Sequence, residues 1–448
     1  MKMTRFVSWV IVLTMVLSLI LPAIAEDDEY YYANKYLWYV QEEKQPGGNQ
    51  GAPGEDHRQG GNGEDHRQGP DGNNHQGPGG GPGAGGPPAK LPSNKPTEAF
   101  INSVFGEWEA QHTYLQNLGK DNEMAEAVVQ YWASFGMKKE LYHADDPEEA
   151  KYSVFSPMYQ PEGKKFPLLV VCHGGGANIF KAEAYGFIEE AAKRGCIVLF
   201  ISWMTNPYNE EATAAGVTSD AYTFKKAYDE VIQNYPVDTT RVYVAGFSGG
   251  GNTTAYIGAT YPDLVAAIMP STGSGIQGSA VRTGGVEMED PLARAKEIGL
   301  ALFMGYGLED FEGRWPVSDE LVEIGPHNNT TAEDRLGYVN EWVSATGTTM
   351  EPTTMEQLAA YNAMAEKTTA SAIFGLNFQK EYTRNLFGYD YYFGDGVNED
   401  GNVVVRFMGV PMAAHSMTMG WAGQFMEFAE HFSRDPETHA LVVTDFAE

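Results

Sequence analysis

The stretch Val242-Tyr243-Val244-Ala245-Gly246-Phe247-Ser248-Gly249-Gly250-Gly251-Asn252-Thr253-Thr254 decides the fold. Its first four residues form an apolar, β-branched run that predicts a buried strand. A helix is expected to begin just past the serine. Gly246-Phe247-Ser248-Gly249-Gly250 sits at the junction as a Gly-x-Ser-x-Gly pattern in a strand–turn–helix setting. A turn that sharp needs small residues around the serine, and it leaves the hydroxyl exposed above the sheet. Ser248 is therefore the candidate nucleophile. A serine hydroxyl is a weak one unless a base takes its proton and an acid orients that base.

Working outward, further apolar runs predict strands at Leu168–Cys172, Ile197–Ile201, Val265–Met269, Leu300–Met304 and Val403–Met408. Amphipathic stretches separate them. Ala221, Phe224, Ala227, Tyr228, Val231 and Ile232 share one helical face, and Phe425, Met426, Phe428, Ala429 and Phe432 share another. Strands buried on both faces and alternating with helices imply a mostly parallel central sheet covered on both sides, an α/β architecture. Upstream, Thr97 to Gly119 and Asn122 to Phe135 also have helical spacing.

The partners of Ser248 are sought downstream, acid first and histidine second. His415 follows the last predicted strand and precedes the terminal helix, where a loop reaches the edge of the sheet; it is the expected base. His327 lies in a polar loop, and His431 and His439 lie in or after the last helix, which makes them poorer choices. The acid is expected after Leu300–Met304, in Gly305-Tyr306-Gly307-Leu308-Glu309-Asp310-Phe311. Asp310 is the first choice and Glu309 its close rival; either could instead be a surface carboxylate. An oxyanion needs backbone donors. Cys172-His173-Gly174-Gly175-Gly176 follows a buried strand, so Gly174 and Gly175, with Gly249 at the helix start, are the expected donors. The glycine run matches neither a phosphate-binding nor a dinucleotide-binding pattern. No metal or organic cofactor is required.

With these motifs in place, the chain resembles the α/β-hydrolases, and within them the polyhydroxybutyrate depolymerase and feruloyl esterase-like branch. The resemblance rests on Arg241 to Gly251 and on Tyr261-Pro262-Asp263-Leu264, and covers about Tyr152 to Arg434. It implies the α/β-hydrolase fold, with Ser248, Asp310 and His415 as the triad. It also implies secreted hydrolysis of carboxylic esters of polyhydroxyalkanoate, feruloyl or acetyl type, with polymeric or plant-derived substrates among them. Two departures stand out. The branch usually carries alanine at the position of Gly249, and it often has a histidine where Tyr306 stands. Roughly ninety residues separate Phe311 from the last predicted strand, more than a connecting loop needs. This insert, about residues 311–402, is expected to include helices near Glu333–Val343 and Met355–Glu366 and to form a cap over the pocket. Trp203, just past Ile197–Ile201, is placed either in the pocket wall or in the core. The rival functions are a peptidase or amidase with the same triad, and a non-catalytic surface-binding protein on the same fold.

The remainder of the 448 residues bounds the setting. Residues 1–25 carry a basic start (Lys2, Arg5), an apolar run and Ala23-Ile24-Ala25, the pattern of a cleaved signal peptide, after which no stable membrane span is expected. Residues 26–44 hold an aromatic island, including Tyr30, Tyr31, Tyr32 and Trp38. Residues 45–96 are rich in Gly, Pro, Asn and Gln, repeat Gly-Glu-Asp-His-Arg-Gln-Gly, and are expected to be a disordered linker. The catalytic domain is assigned to residues 97–448. A formal charge of −30 disfavours nucleic acid as a partner. Cys172 and Cys196 are the only cysteines, placed at opposite ends of neighbouring strands, and two buried free thiols are expected.

Overall fold

The computed structural model describes residues 115–444, apart from 116, 273–289, 312–313, 318–319, 324–331, 365–366, 387–388, 412, 414–416 and 418–419. The expected signal peptide, aromatic segment and linker lie outside the described residues, as does nearly all of the predicted helix 97–119.

In chain order, α1 (Glu126–Ala133) precedes β1 (Met137–Tyr142), β2 (Tyr152–Pro157) and β3 (Phe166–Cys172). There follow α2 (Ile179–Glu183), α3 (Phe187–Arg194), β4 (Ile197–Ile201), α4 (Asn209–Ala215) and α5 (Ser219–Asn234). Next come β5 (Val237–Phe247), α6 (Gly249–Thr260), β6 (Ala267–Ser271), α7 (Ala293–Ile298) and β7 (Ala301–Gly307). The insert opens with α8 (Leu308–Phe311) and a hairpin of β8 (Arg314–Val317) and β9 (Glu320–Glu323). It continues through α9 (Ala332–Ser344), α10 (Met355–Asn362), α11 (Ala370–Phe374), β10 (Lys380–Leu386) and β11 (Tyr389–Val397). Last are β12 (Val403–Val410), α12 (Trp421–Ala429), β13 (Phe432–Arg434) and β14 (Leu441–Val443).

Ten strands form one sheet in the order β1-β2-β4-β3-β5-β6-β7-β12-β11-β10. The six strands from β4 to β12 run parallel, while β1, β2, β11 and β10 pair antiparallel at the flanks. The parallel strands follow from their sequences. β3 and β4 are buried along their whole length, as strands covered on both faces must be. Helix α6 packs on β3, β5 and β6, and α12 packs on α3, β6 and β7. Phe425 of α12 meets Phe187 at 6.4 Å and Phe303 at 5.9 Å between ring centroids, knitting α3, α12 and β7 together. Each such buried ring contributes on the order of 2–3 kcal/mol through lost apolar surface.

Three expectations change. The insert was expected to be a cap, yet its last third, β10 and β11, extends the central sheet past β12. Its helices fall close to where spacing put them, at Ala332–Ser344 and Met355–Asn362. The terminal helical face was expected to run from Phe425 to Phe432, but α12 stops at Ala429 and Phe432 starts β13. There β13 pairs with β14, and the buried Arg434 guanidinium donates to the carbonyls of Val265 and Ile298. Those bonds draw the chain out of the helix. The flanking strands β1, β2, β10 and β11 were not expected at all, because charged and small residues break up any apolar run. Cys172 and Cys196 are both buried and free, as expected. Burial pushes the Cys196 thiol up to about 12, although Arg194 and Arg241 oppose the shift.

The left flank carries a buried ion pair. Lys139 on β1 donates to Glu183 on α2 at 2.5 Å, and Ser153 Oγ donates to the other carboxylate oxygen at 2.8 Å. Burial raises the Glu183 carboxyl to about 7, against the pull of Lys139.

Candidate functional site

The carboxyl ends of the parallel strands are where a sheet of this kind delivers its functional loops. In register, Phe247 of β5 lies opposite Ser271 of β6, and Gly307 of β7 lies opposite Val410 of β12. Four connections therefore leave one edge of the sheet. They carry Ser248 after β5, Thr272 after β6, the Glu309–Asp310 pair after β7, and His415 between β12 and α12.

Ser248 is the residue between β5 and α6, with φ 56° and ψ −119°. An L-residue in that region is strained by about 1–3 kcal/mol, and such strain is kept only where surrounding contacts impose it. The contacts are visible. The Ser248 N–H lies 3.1 Å from the Ser271 carbonyl and 3.3 Å from Thr272 Oγ1, while the Ser248 carbonyl accepts from Gly251 and Asn252 in the first helical turn. The glycines permit the approach. A methyl on Gly246 would fall 2.1 Å from the Gly250 carbonyl oxygen, and one on Gly250 would fall 2.2 Å from the Cys172 oxygen. Backbone atoms cannot yield that far, so the pattern is dictated by contact between β5, α6 and the end of β3.

Thr272 was missed by sequence reasoning. It has φ 46°, a strained value for a β-branched residue, and its amide lies 3.3 Å from the Gly305 carbonyl oxygen. Gly305 N–H in turn donates to Ser271 Oγ at 3.3 Å. Ser271 and Thr272 thus tie the turn at Ser248 to β7 where β6 and β7 have ceased to pair. Only a positive φ could have marked Thr272, and φ is invisible in a sequence.

The glycine loop after β3 lies beside the same turn. The Gly174 N–H donates to Tyr185 Oη at 3.3 Å, and Tyr185 packs edge-on against Phe247 at 6.0 Å. That amide is committed to Tyr185, so of the two loop donors expected from sequence, Gly175 is the better placed. A methyl built on Gly249 would lie 3.1 Å from the Gly175 nitrogen, which brings the glycine loop alongside the first residue of α6. Gly249 is also the first residue of α6, where helical N–H groups have no intrahelical acceptor and the helix dipole favours negative charge. An anionic oxygen placed at the start of α6 would meet amide donors and a positive field.

Deeper, His173 is 1% exposed, and its Nδ1 lies 2.9 Å from the Gly174 carbonyl. Burial holds its pKa below the ordinary value, so the ring is neutral near pH 7. Trp203 Nε1–H donates to the His173 carbonyl at 2.8 Å, and its indole stacks on the imidazole at 5.3 Å with 24° between planes. Thr253, one turn into α6, donates to the half-buried Asp220 carboxylate at 2.9 Å, fixing that turn to α5. Burial holds the Asp220 carboxyl above its ordinary range.

The acid candidates fall in α8 immediately after β7, but the side chains of Glu309 and Asp310 lie outside the described residues, and so does His415 altogether. Around α8 the insert does contact the core. Phe374 of α11 packs on Tyr306, Phe311 and Phe407 at 6.4, 5.0 and 5.4 Å.

No protein-family model matches the chain. An acetylxylan esterase of Coprinopsis cinerea is 34% identical over 117 residues, 24% of this chain and 31% of that protein. The poly(3-hydroxyalkanoate) depolymerase C of Paucimonas lemoignei is 39% identical over 125 residues, 27% of this chain and 30% of that protein. The chain thus spans about a third of the length of these curated relatives. Among solved structures, the acetyl xylan esterase of Aspergillus awamori aligns with a TM-score of 0.36 and 14% identity, over 66% of this chain and 98% of that one. The central sheet, with six parallel strands covered by helices, is the α/β architecture expected from the sequence, and the chain resembles the two curated relatives over about a quarter of its length. No helix among the described residues is long and apolar enough to cross a membrane.

Proposed function

We propose that the chain is a serine hydrolase that cleaves carboxylic esters through an acyl-enzyme on Ser248. The observation that carries this reading is the strained Ser248 turn, set beside the Gly249 and Gly175 amides at the start of α6. Ser248 Oγ attacks the ester carbonyl carbon. His415 accepts the hydroxyl proton as the Oγ–C bond forms, and the carbonyl oxygen becomes an anion held by Gly249 and Gly175. When the C–O bond to the alcohol breaks, His415 returns the proton to the departing oxygen. Water then repeats the sequence on the acyl-enzyme and releases the acid. Asp310 orients the imidazole throughout, with Glu309 as the alternative acid. The positions of His415 and Asp310 in the chain, after β12 and after β7, support these roles.

Acetylated polysaccharides and hydroxyalkanoate polyesters are the substrate classes proposed in keeping with the named activities of the two curated relatives, with feruloyl esters as a third class. The amino-terminal pattern of residues 1–25 supports export, with residues 26–44 and the linker 45–96 preceding a catalytic domain at 97–448. Labelling with a fluorophosphonate tests the nucleophile. An adduct on Ser248 that disappears in Ser248→Ala is expected, and no adduct on the purified folded protein would overturn the reading.

A further inference from the structure

Trp203 lies two residues past β4, and contacts hold it on more than one side. Its Nε1–H is bound to the His173 carbonyl at 2.8 Å, and one face of the indole lies on the buried, neutral imidazole. The benzene edge of the ring points at Gly249. A methyl built there would come within 3.0 Å of Cη2 and 3.1 Å of Cζ2. Contacts that close force the neighbour to give way, so the ring already occupies the room that a side chain at position 249 would need. Met204, the next residue, is 49% exposed, and its sulfur accepts from the Gly176 N–H at 3.3 Å. Trp203 and Met204 together form a continuous apolar margin beside the glycine loop, while the Trp203 ring is only half-buried.

We propose that Trp203 is a specificity-determining residue: it walls the Ser248 site on the Gly175–Gly249 side and restricts the acyl group of the substrate to short chains. The same ring makes glycine the fitting residue at position 249. The inference rests on the proposed ester hydrolysis at Ser248. An acyl chain that leaves the carbonyl on the side of Trp203 meets the edge of a rigid indole that is hydrogen-bonded behind and stacked beneath. It cannot swing aside without breaking both contacts. Small acyl groups fit beside the ring, and long ones collide with it.

The test compares p-nitrophenyl acetate, butyrate and octanoate with the wild type, Trp203→Ala and Trp203→Phe. In Trp203→Ala the ratio of kcat/KM for octanoate to that for acetate is expected to rise about tenfold or more, the scale set by several methylenes in an apolar pocket. Trp203→Phe, which keeps an aromatic ring and fills most of the volume, is expected to move the ratio only part of the way. Gly249→Ala should slow acetate turnover in the wild-type background and cost less in the Trp203→Ala background, because one of its two close neighbours is gone. Ratios unchanged within twofold in both Trp203 variants, with Gly249→Ala equally costly in both backgrounds, would overturn the wall. A small ethyl fluorophosphonate is run alongside. Failure to label wild-type Ser248 defeats the hydrolase reading itself, whereas normal labelling with an unmoved chain-length ratio defeats only the role of Trp203. A variant that labels at Ser248 is folded, so loss of structure cannot stand in for either answer.

Discussion

The centre of the sheet and its insert-side flank are held together by different forces. β3 and β4 are buried throughout, and every side chain in Leu168–Cys172 and Ile197–Ile201 is apolar. β12 is just as buried, yet it carries Arg406, whose guanidinium makes two 2.8 Å bonds to Asp395 across the pairing with β11. The ring planes of Tyr382 and Phe428 lie against the same guanidinium at 5.8 and 5.7 Å. In the centre, stability comes from many replaceable apolar contacts, and the geometry that matters is the backbone approach around Ser248. On the flank, one charged pair couples two strands, and losing half of it strands the other half in a dry interior.

Substitutions separate the two. Ser248→Ala is expected to give the largest effect, a loss of about 10^4-fold or more in ester turnover with the melting temperature little changed. A residual rate near wild type would mean that the turn at Ser248 is not where chemistry occurs. Next comes Asp395→Ala, which leaves the Arg406 charge buried and alone. Denaturant unfolding should show a loss of about 3–5 kcal/mol, while the double change Asp395→Leu with Arg406→Met should recover most of it. Gly250→Ala should lower stability by about 1–3 kcal/mol and depress Ser248 labelling, because the added methyl meets the Cys172 and His173 carbonyl oxygens at 2.2 and 2.5 Å. By contrast, no described residue lies within 4 Å of a methyl on Gly175, so Gly175→Ala should shift stability by less than about 0.5 kcal/mol.

The smallest effect concerns pH. Folding raises the Cys196 thiol from 9.0 to about 12, so the native state keeps a proton that the unfolded chain gives up. The stability this contributes is fully present below pH 9 and is lost as pH climbs toward 12. Neither Cys196 nor Cys172 should react with iodoacetamide at pH 8 in the native protein, and both should react once it is unfolded; rapid native alkylation would contradict their burial.

The same contrast explains what the sequence disclosed. The parallel strands were legible because burial on both faces demands unbroken apolar runs, and the turn was legible because only glycine fits where backbone meets backbone. β10 and β11 were not, since Lys380-Glu381-Tyr382-Thr383-Arg384-Asn385-Leu386 has no apolar run to announce it. The insert was therefore expected to form a cap, with no strands assigned to it. At the site, Ser248, Gly249 and Gly175 followed from local pattern. Thr272, Tyr185 and the commitment of the Gly174 amide did not, because each depends on contacts between residues far apart in the chain. Trp203 was visible as a residue beside the pocket or the core, and its alignment over Gly249 emerged only from the fold.

Among the described residues the sheet is open, and its two outermost strands have a bearing on how the molecule behaves at high concentration. β1 presents Lys138 paired with Glu140 at 2.9 Å, and β10 presents exposed Lys380 and Glu381 with Arg384 alongside. Unpaired strand margins invite other chains to add themselves as further strands, and charged side chains discourage it. A neighbour approaching either margin must strip water from lysine and glutamate before it can form its first ladder bond. The sheet of the described residues can thus carry ten strands with two raw ends and still resist growing into a ribbon.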